Sequence, residues 1–454
     1  MGPLAKAFKD DGWKVSGSDH VGIYPPISTY LAENNIPYTE GYAAKNVPRD
    51  ADLIVVGRSA LMVDPDNPEY TAARKIGCPV LSYPEVLGKY LIKENSVVVA
   101  GTYGKTTISA IIAWILTTAG LNPSYMTGGI PLNMGDGVKM TDSKYSVVEG
   151  DEPPALLETD PPKFMFYKPK HLIVTATKHD HPEIFKTSKA YIKAFIDLVK
   201  LLPKNGKLVY NLDNTDQSVI DNFSGEKISY SLNNTNADYF VKNIFVNKDI
   251  TKFILDGRHK IELETILIGK HNLENILAAA ALCLEIGVDE KIIKRAVKSF
   301  SGIKTRLEFL GKSGGRFLYW DLAQHPAKVK GTLGALKEHY LDNKIFCVFD
   351  PAMTGLKYKE SLSWYPGAFD KADCVIVGKV GYLRGLKGED RVSGVDIVKA
   401  ISQTQKNVFY EPTDEQIVKY LMQNTKTDDV IVFMSSGGLR FTNLIQETIN
   451  KLTD

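Results

Sequence analysis

Cysteine is scarce: Cys78, Cys283, Cys347 and Cys374 are the only four in 454 residues. They lie far apart, without a CxxC pair or finger spacing, which excludes a disulfide scaffold and a zinc finger. Apolar neighbours such as Ala281-Leu282 and Phe346 predict buried thiols. No apolar run reaches the roughly 18 residues of a membrane span, and no basic-then-apolar segment opens the chain. A cytoplasmic protein without membrane insertion is therefore expected. An excess of charge is missing too. Lys and Arg number 55 against 53 Asp and Glu, so the formal net charge is +2, which offers no broad footprint for nucleic acid or anionic lipid. There is no low-complexity tract and no repeat at a fixed period.

What remains is the balance of a globular protein, 44% hydrophobic and 24% charged with 36 Gly and 22 Pro. At roughly 150 residues per domain the length suggests about three domains. The pattern is α/β throughout. In residues 1–92, Gly2 to Asp11 reads as an amphipathic helix and Trp13 to Gly17 as a strand ending in Ser18-Asp19, the second half of a βαβ unit whose first strand is missing. Strands at Asp52 to Gly57 and Pro79 to Ser82 and a helix at Glu69 to Ile76 complete it. Residues 93–303 start with the apolar strand Val97 to Ala100, a Gly-rich turn and a helix from Thr106. Buried strands at Tyr145 to Val148, His171 to Thr175 and Lys207 to Tyr210 follow, then antiparallel strands to Ile268 and two helices. Residues 304–454 alternate strands and helices again, as in a doubly wound sheet.

Gly101-Thr102-Tyr103-Gly104-Lys105-Thr106-Thr107 falls between a buried strand and a helix, where backbone amides and the helix N-terminus can cradle phosphates. Lys105 would reach the β- and γ-phosphates and the Thr106 hydroxyl would bind Mg²⁺. The generic pattern places another Gly five residues before Gly104, where this chain has Val99. Glu149-Gly150-Asp151-Glu152 follows the next strand, so its carboxylates fall at the carboxyl end of the sheet, where metal ions are commonly held; an acidic loop is also often only solvated surface. Lys178-His179-Asp180-His181 ends a third strand, and one His there is a candidate metal ligand or an orienter of a carboxylate. Asn272 and Asn275 place two amides on one face of a helix, and Asn272 is equally suited to an N-cap. Arg306 and Asp321 are single charges near a domain junction.

In this order, GTYGKTT at Gly101, EGDE at Glu149, Asp180-His181, GKHNLEN at Gly269, Arg306 before Leu-Glu and the Asp321 to Pro326 segment closely resemble the Mur ligase family, ATP-dependent amide-forming enzymes of peptidoglycan synthesis. The motifs span more than 200 residues, and weaker similarity covers essentially the whole chain. The resemblance implies a Rossmann-like first domain, a P-loop ATPase-like central domain and a Rossmann-like third domain. It implies ATP and Mg²⁺, an acyl phosphate on the muramyl carboxylate, and attack on it by an amine. Lys105, Glu149 and His181 take the catalytic positions, and Thr106, Glu149 and His181 the metal positions. Gly101 to Thr107 with Asn272, Asn275, Arg306 and Asp321 fall on the nucleotide, and Asp19, Ser59 and His325 on the substrates. A monomer or weak dimer is expected.

Within the family, Ser16-Gly17-Ser18-Asp19 resembles the branch acting on UDP-N-acetylmuramate. Tyr24 to Thr29, His181-Pro182-Glu183-Ile184-Phe185 and the spacing from Arg306 to Pro326 resemble its peptide-recycling member, which takes an L-Ala-γ-D-Glu-diamino-acid peptide. The alternative is the L-alanine ligase, and a third reading is a nucleotide-binding protein without ligase activity. Departures from the pattern are Tyr103 for His, Trp320 for the first Asp and Gln324 for the first His of the Asp-Asp-aromatic-Ala-His-His-Pro segment, and Asp350-Pro351-Ala352-Met353 without the Arg that peptide ligases carry after Pro. In related enzymes a strand of about five residues and a Gly-rich turn precede the segment matching Met1 to Ala5. We expect a start codon placed too late, which an intact mass of the native protein matching Met1 would contradict.

Overall fold

The computed structural model describes residues 1–20, 22–23, 27–381 and 391–453. Two compact units form. The first holds Met1–Phe245, Ile250–Leu267 and His271–Ser301; the second holds Val246–Asp249, Ile268–Lys270 and Gly302–Asp454.

The first unit is built on a ten-stranded sheet. At its centre Asn95–Ala100 runs parallel to Tyr145–Gly150 on one side and to His171–Val174 on the other. Nearly every residue of these three strands is buried, as continuous apolar runs flanked by helices require. Lys207–Asn211 and Glu226–Ser231 extend the parallel part, and the hairpin of Thr251–Gly257 and Ile261–Thr265 ends it. The register sets Val99 opposite Glu149 and Ala100 opposite both Gly150 and Val174. Three strand ends therefore stop at one level, and whatever follows each is gathered there.

The N-terminal stretch folds as the helix Gly2–Asp10 and two separate two-stranded parallel sheets, Gly17–Asp19 with Tyr38–Glu40 and Ile54–Val56 with Val80–Ser82. The strand expected from Trp13 begins only at Gly17. Trp13 and Val15 alternate with polar residues because they pack into the core: the Trp13 ring meets Phe8 at 5.3 Å and Tyr90 at 6.0 Å, edge-on in both cases. That core is shared. Leu4, Ala7 and Phe8 belong to the same cluster as Val98, Val148 and Leu172 of the large sheet.

The second unit is a six-stranded sheet in the order Glu308–Ser313, Arg316–Asp321, Val430–Met434, Ile345–Phe349, Cys374–Val377, Val408–Tyr410. Only the first pair is antiparallel, with a bulge between Phe309 and Gly311. The chain moves outward from Arg316–Asp321 through Ile345–Phe349 and Cys374–Val377 to Val408–Tyr410, then returns to insert Val430–Met434 between the first two, so crossovers run in both directions as in the doubly wound arrangement expected. Among the described residues no helix is long and apolar enough to cross a membrane.

Candidate functional site

Val99 lies inside the strand, so the turn before the helix Lys105–Thr118 is only Gly101 to Gly104. It is anchored to the continuation of His171–Val174. Thr102 N donates to Ala176 O at 3.1 Å, the Thr102 hydroxyl donates to Lys178 O at 2.7 Å, and the Thr175 hydroxyl donates to Tyr103 O at 2.5 Å. Gly104 caps the helix in the left-handed region, φ 74°. A Cβ there would overlap Asn275 Oδ1, so the helix Lys270–Glu285 presses on the turn itself. Asn272 is not an N-cap; it lies inside that helix, and its Oδ1 accepts from Asn275 Nδ2 at 3.2 Å. Both asparagines are buried.

Lys105 folds back over the turn, its Nζ donating to Gly101 O at 2.8 Å and to both carboxylate oxygens of Glu152, at 2.9 and 3.1 Å. Tyr103 is half exposed and Thr107 sits in the first turn of the helix. Glu149 is buried beneath the turn. Its Oε2 accepts from Gly128 N at 2.7 Å, and the Thr106 side chain lies close enough to favour its charged form. A Cβ on Gly128 would overlap this carboxylate. Burial raises the Glu149 pKa, as does the nearby Asp151 charge, while Thr106, Lys105 and the Gly128 amide oppose the rise. A buried carboxylate in contact with a hydroxyl, at a helix N-terminus, is a pair of hard oxygen donors of the kind Mg²⁺ takes, with water and phosphate completing its shell.

His181 is held with φ at 54° and its Nδ1 is 3.0 Å from Glu183 Oε1. His179 Nε2 bonds Phe185 O instead, at 2.7 Å. Among the described residues no three His, Cys, Asp or Glu side chains group as a metal site.

Asp19 ends the strand Gly17–Asp19 and is exposed, and Ser59 is exposed in the helix Arg58–Val63 that follows Ile54–Val56. Both stand at carboxyl ends of parallel strands, where ligands of α/β sheets bind. Tyr24, Pro25 and Pro26 lie outside the described residues.

In the second unit Arg306 is exposed between two residues of positive φ, Thr305 and Leu307. Asp321 is engaged by backbone: it accepts from Leu307 N at 2.7 Å and Ala323 N at 2.6 Å. Burial raises its pKa while those amides and Arg306 lower it. His325 caps the helix Pro326–His339, accepting from Ala327 N at 3.3 Å, with its ring stacked on Trp364. Trp320, where the family pattern has Asp, donates from Nε1 to Ser435 O at 3.3 Å. Asp350 accepts from the Ser435 hydroxyl at 2.7 Å, and Arg440 grips Asp414 at 2.6 Å with Asp350 at 3.8 Å.

Sequence reasoning passed over Glu152 as a partner of Lys105, and also Tyr191, Thr175 and Gly128. Glu152 stood in the quoted motif; the other three carry no local signal, Thr175 and Gly128 following strands of the sheet and Tyr191 coming from the helix Ser188–Val199.

Three family models match the chain: "Mur ligase family, catalytic domain" over residues 1–94, "Mur ligase middle domain" over 99–283, and "Mur ligase, glutamate ligase domain" over 305–437. The UDP-N-acetylmuramate--L-alanyl-gamma-D-glutamyl-meso-2,6-diaminoheptandioate ligase of Escherichia coli (strain K12) is 31% identical over 361 residues, 79% of this chain and 78% of that protein. A UDP-N-acetylmuramate--L-alanine ligase of Nostoc sp. is 30% identical over 409 residues, 86% of this chain and 79% of that protein. Among solved structures, a UDP-N-acetylmuramate-alanine ligase from Thermotoga maritima superposes with a TM-score of 0.77 at 22% identity, covering 99% of this chain and 96% of that one. A murein peptide ligase from Psychrobacter arcticus 273-4 gives 0.64 at 25%, covering 100% and 96%. The motifs, the gathered strand ends and these relatives agree: the chain belongs to the Mur ligase family.

Proposed function

We propose that the chain is an ATP-dependent ligase of peptidoglycan synthesis or recycling that joins UDP-N-acetylmuramate, through an acyl phosphate, to an L-Ala-containing peptide. The observation that carries this is the four-residue turn with Lys105 folded over it and the Glu149–Thr106 pair beneath. A carboxylate is a poor electrophile until phosphate gives it a leaving group. The amides of the turn and the first turn of the helix receive the β- and γ-phosphates, and Lys105 neutralises charge as the γ-phosphoryl moves to the muramyl carboxylate. Thr106 and Glu149, with His181 assigned by resemblance, are the residues that would hold Mg²⁺, which supplies charge neutralisation at the phosphoryl oxygens when bound. Asn272 and Asn275 support the nucleotide side of the turn. Asp19 and Ser59 are assigned to the UDP-sugar, Arg306 and Asp321 to the nucleotide, and His325 to the amine donor.

The second reading, a UDP-N-acetylmuramate:L-alanine ligase, is favoured by Asp350-Pro351-Ala352-Met353, which lacks an arginine for a diamino-acid carboxylate. Nearby, Arg440 is already engaged by Asp414 and Asp350. Incubation with ATP, Mg²⁺ and UDP-N-acetylmuramate decides between them: phosphate release should be much faster with the L-Ala-γ-D-Glu-diamino-acid tripeptide than with L-alanine. The reverse preference establishes the second reading. Lys105→Ala should cut release by about a thousandfold; unchanged turnover removes the phosphate-loop assignment.

A further inference from the structure

The ammonium that the loop would offer to phosphate is already occupied. Lys105 Nζ has three hydrogens, and its three acceptors are Gly101 O and the two oxygens of Glu152. The Glu152 side chain is 1% exposed and that of Lys105 13%. A carboxylate so deeply placed is tolerated because it is paired and hydrogen-bonded. It is also fixed from behind. The Tyr191 hydroxyl, on the helix Ser188–Val199, donates to Glu152 Oε1 at 3.2 Å and stands 3.3 Å from Thr102 Oγ1. Thr102 is in turn bonded to Lys178 O. Glu152 is thus held by the helix and the loop together, unlike a surface acid that happens to meet a lysine.

Any polyphosphate seated in the turn needs the same ammonium, so a fixed carboxylate competes with it at short range and in a site of low solvent exposure, where charge is weakly screened. We propose that Glu152 is a positioning residue: it holds the Lys105 ammonium over the turn in the nucleotide-free protein, and nucleotide binds by exchanging phosphate oxygens for the Glu152 carboxylate on that ammonium. The inference rests on reading the turn as a phosphate loop. Two consequences follow from the exchange. The lysine is kept in one arrangement and need not be ordered anew at each encounter, and nucleotide affinity is held below what the loop would otherwise give, so that product ADP is released as Glu152 recovers its partner.

The test measures ADP binding by calorimetry and ADP dissociation by stopped flow, neither of which needs the other substrates. Glu152→Gln keeps the shape and removes the competing charge; ADP should bind about tenfold tighter, a shift of the size one displaced charge–charge contact supports, with slower dissociation. Glu152→Asp withdraws the carboxylate by one methylene, and should shift affinity the same way by a smaller factor; it keeps the question answerable if the Gln variant does not fold. A merely structural role for Glu152 would lower thermal stability in both variants and leave ADP affinity unchanged. That result, or weaker binding, overturns the proposal. If wild-type protein binds no ADP and Lys105→Ala changes nothing, the phosphate-loop reading itself is wrong.

Discussion

Replacing Gly104 by Ala puts two separate loads on the turn from Gly101 to Gly104, and a double-mutant cycle with Asn275 can separate them. The first is conformational. At φ 74° an L-residue costs roughly 1–2 kcal/mol. The second is steric, because the new Cβ overlaps Asn275 Oδ1, and forced overlap in a packed region costs roughly 1–3 kcal/mol. Gly104→Ala alone should therefore destabilise by about 2–5 kcal/mol. Asn275→Ala alone forfeits the bond from Asn275 Nδ2 to Asn272 Oδ1, worth about 1 kcal/mol. In the double variant the overlap is gone and only the conformational load and the lost bond remain. The cycle should accordingly show a favourable coupling of about 1–3 kcal/mol between the two substitutions. Urea denaturation of all four proteins supplies the numbers. Effects that add to within about 0.5 kcal/mol would mean that Asn275 does not lie against the turn, and the packing described between the helix Lys270–Glu285 and the loop would be refuted.

His171 offers a pH test. It is buried in a central strand, its Nδ1 has no hydrogen-bond partner, and burial first, then Lys170 and Lys207, push its pKa down to about 4. The unfolded chain takes up that proton near pH 6.5 and the folded one does not, so stability is present above about pH 6.5 and lost as pH falls towards about 4, by up to about 3 kcal/mol. His171→Leu should flatten that decline in denaturation measured across the window; parallel curves for the two proteins would count against it. Cysteine titration tests burial: Cys283, Cys347 and Cys374 are buried, Cys78 only partly, and burial raises the first three thiol pKa values. Native protein should react with Ellman's reagent at one thiol and denatured protein at four; two or more fast native thiols would contradict the packing. Tyr191→Phe removes the hydroxyl that bridges Thr102 and Glu152 and should lower stability by about 1 kcal/mol, read from the urea midpoint; an unshifted midpoint would show that the bridge carries no energy.

The buried strands were legible because both of their faces are covered: Val97 to Ala100, Ile345 to Phe349 and Val430 to Met434 are continuous apolar runs, and each forms a strand. Glu226–Ser231 and Glu308–Ser313 were not, since polar residues break the apolar run that marks a buried strand. The turn at Gly101 was legible from its own seven residues. Its contact with Asn275 and the grip of Tyr191 on Glu152 were not, because they join segments far apart in the chain, and only the packing of two helices beside the turn brings them together. Asn272 illustrates a local rule losing to a longer one: asparagine favours helix starts, but the helix begins two residues earlier and the amide pairs with Asn275.

The core common to the N-terminal helix and the large sheet has a practical consequence for anyone exchanging parts among these ligases. Leu4, Ala7, Phe8, Val86, Leu87 and Leu91 contribute to one apolar cluster with Val98, Val148, Phe164 and Leu172. A chimera joined near residue 93 would divide that cluster and ask two foreign halves to interdigitate, with well-packed interiors losing up to several kcal/mol for each misfitted large side chain. A graft joined near residue 302, where the long stretch of the second compact unit begins, leaves the cluster whole. The stretch from residue 302 onward is thus the portable part of this architecture, and residues 1–92 travel with the large sheet.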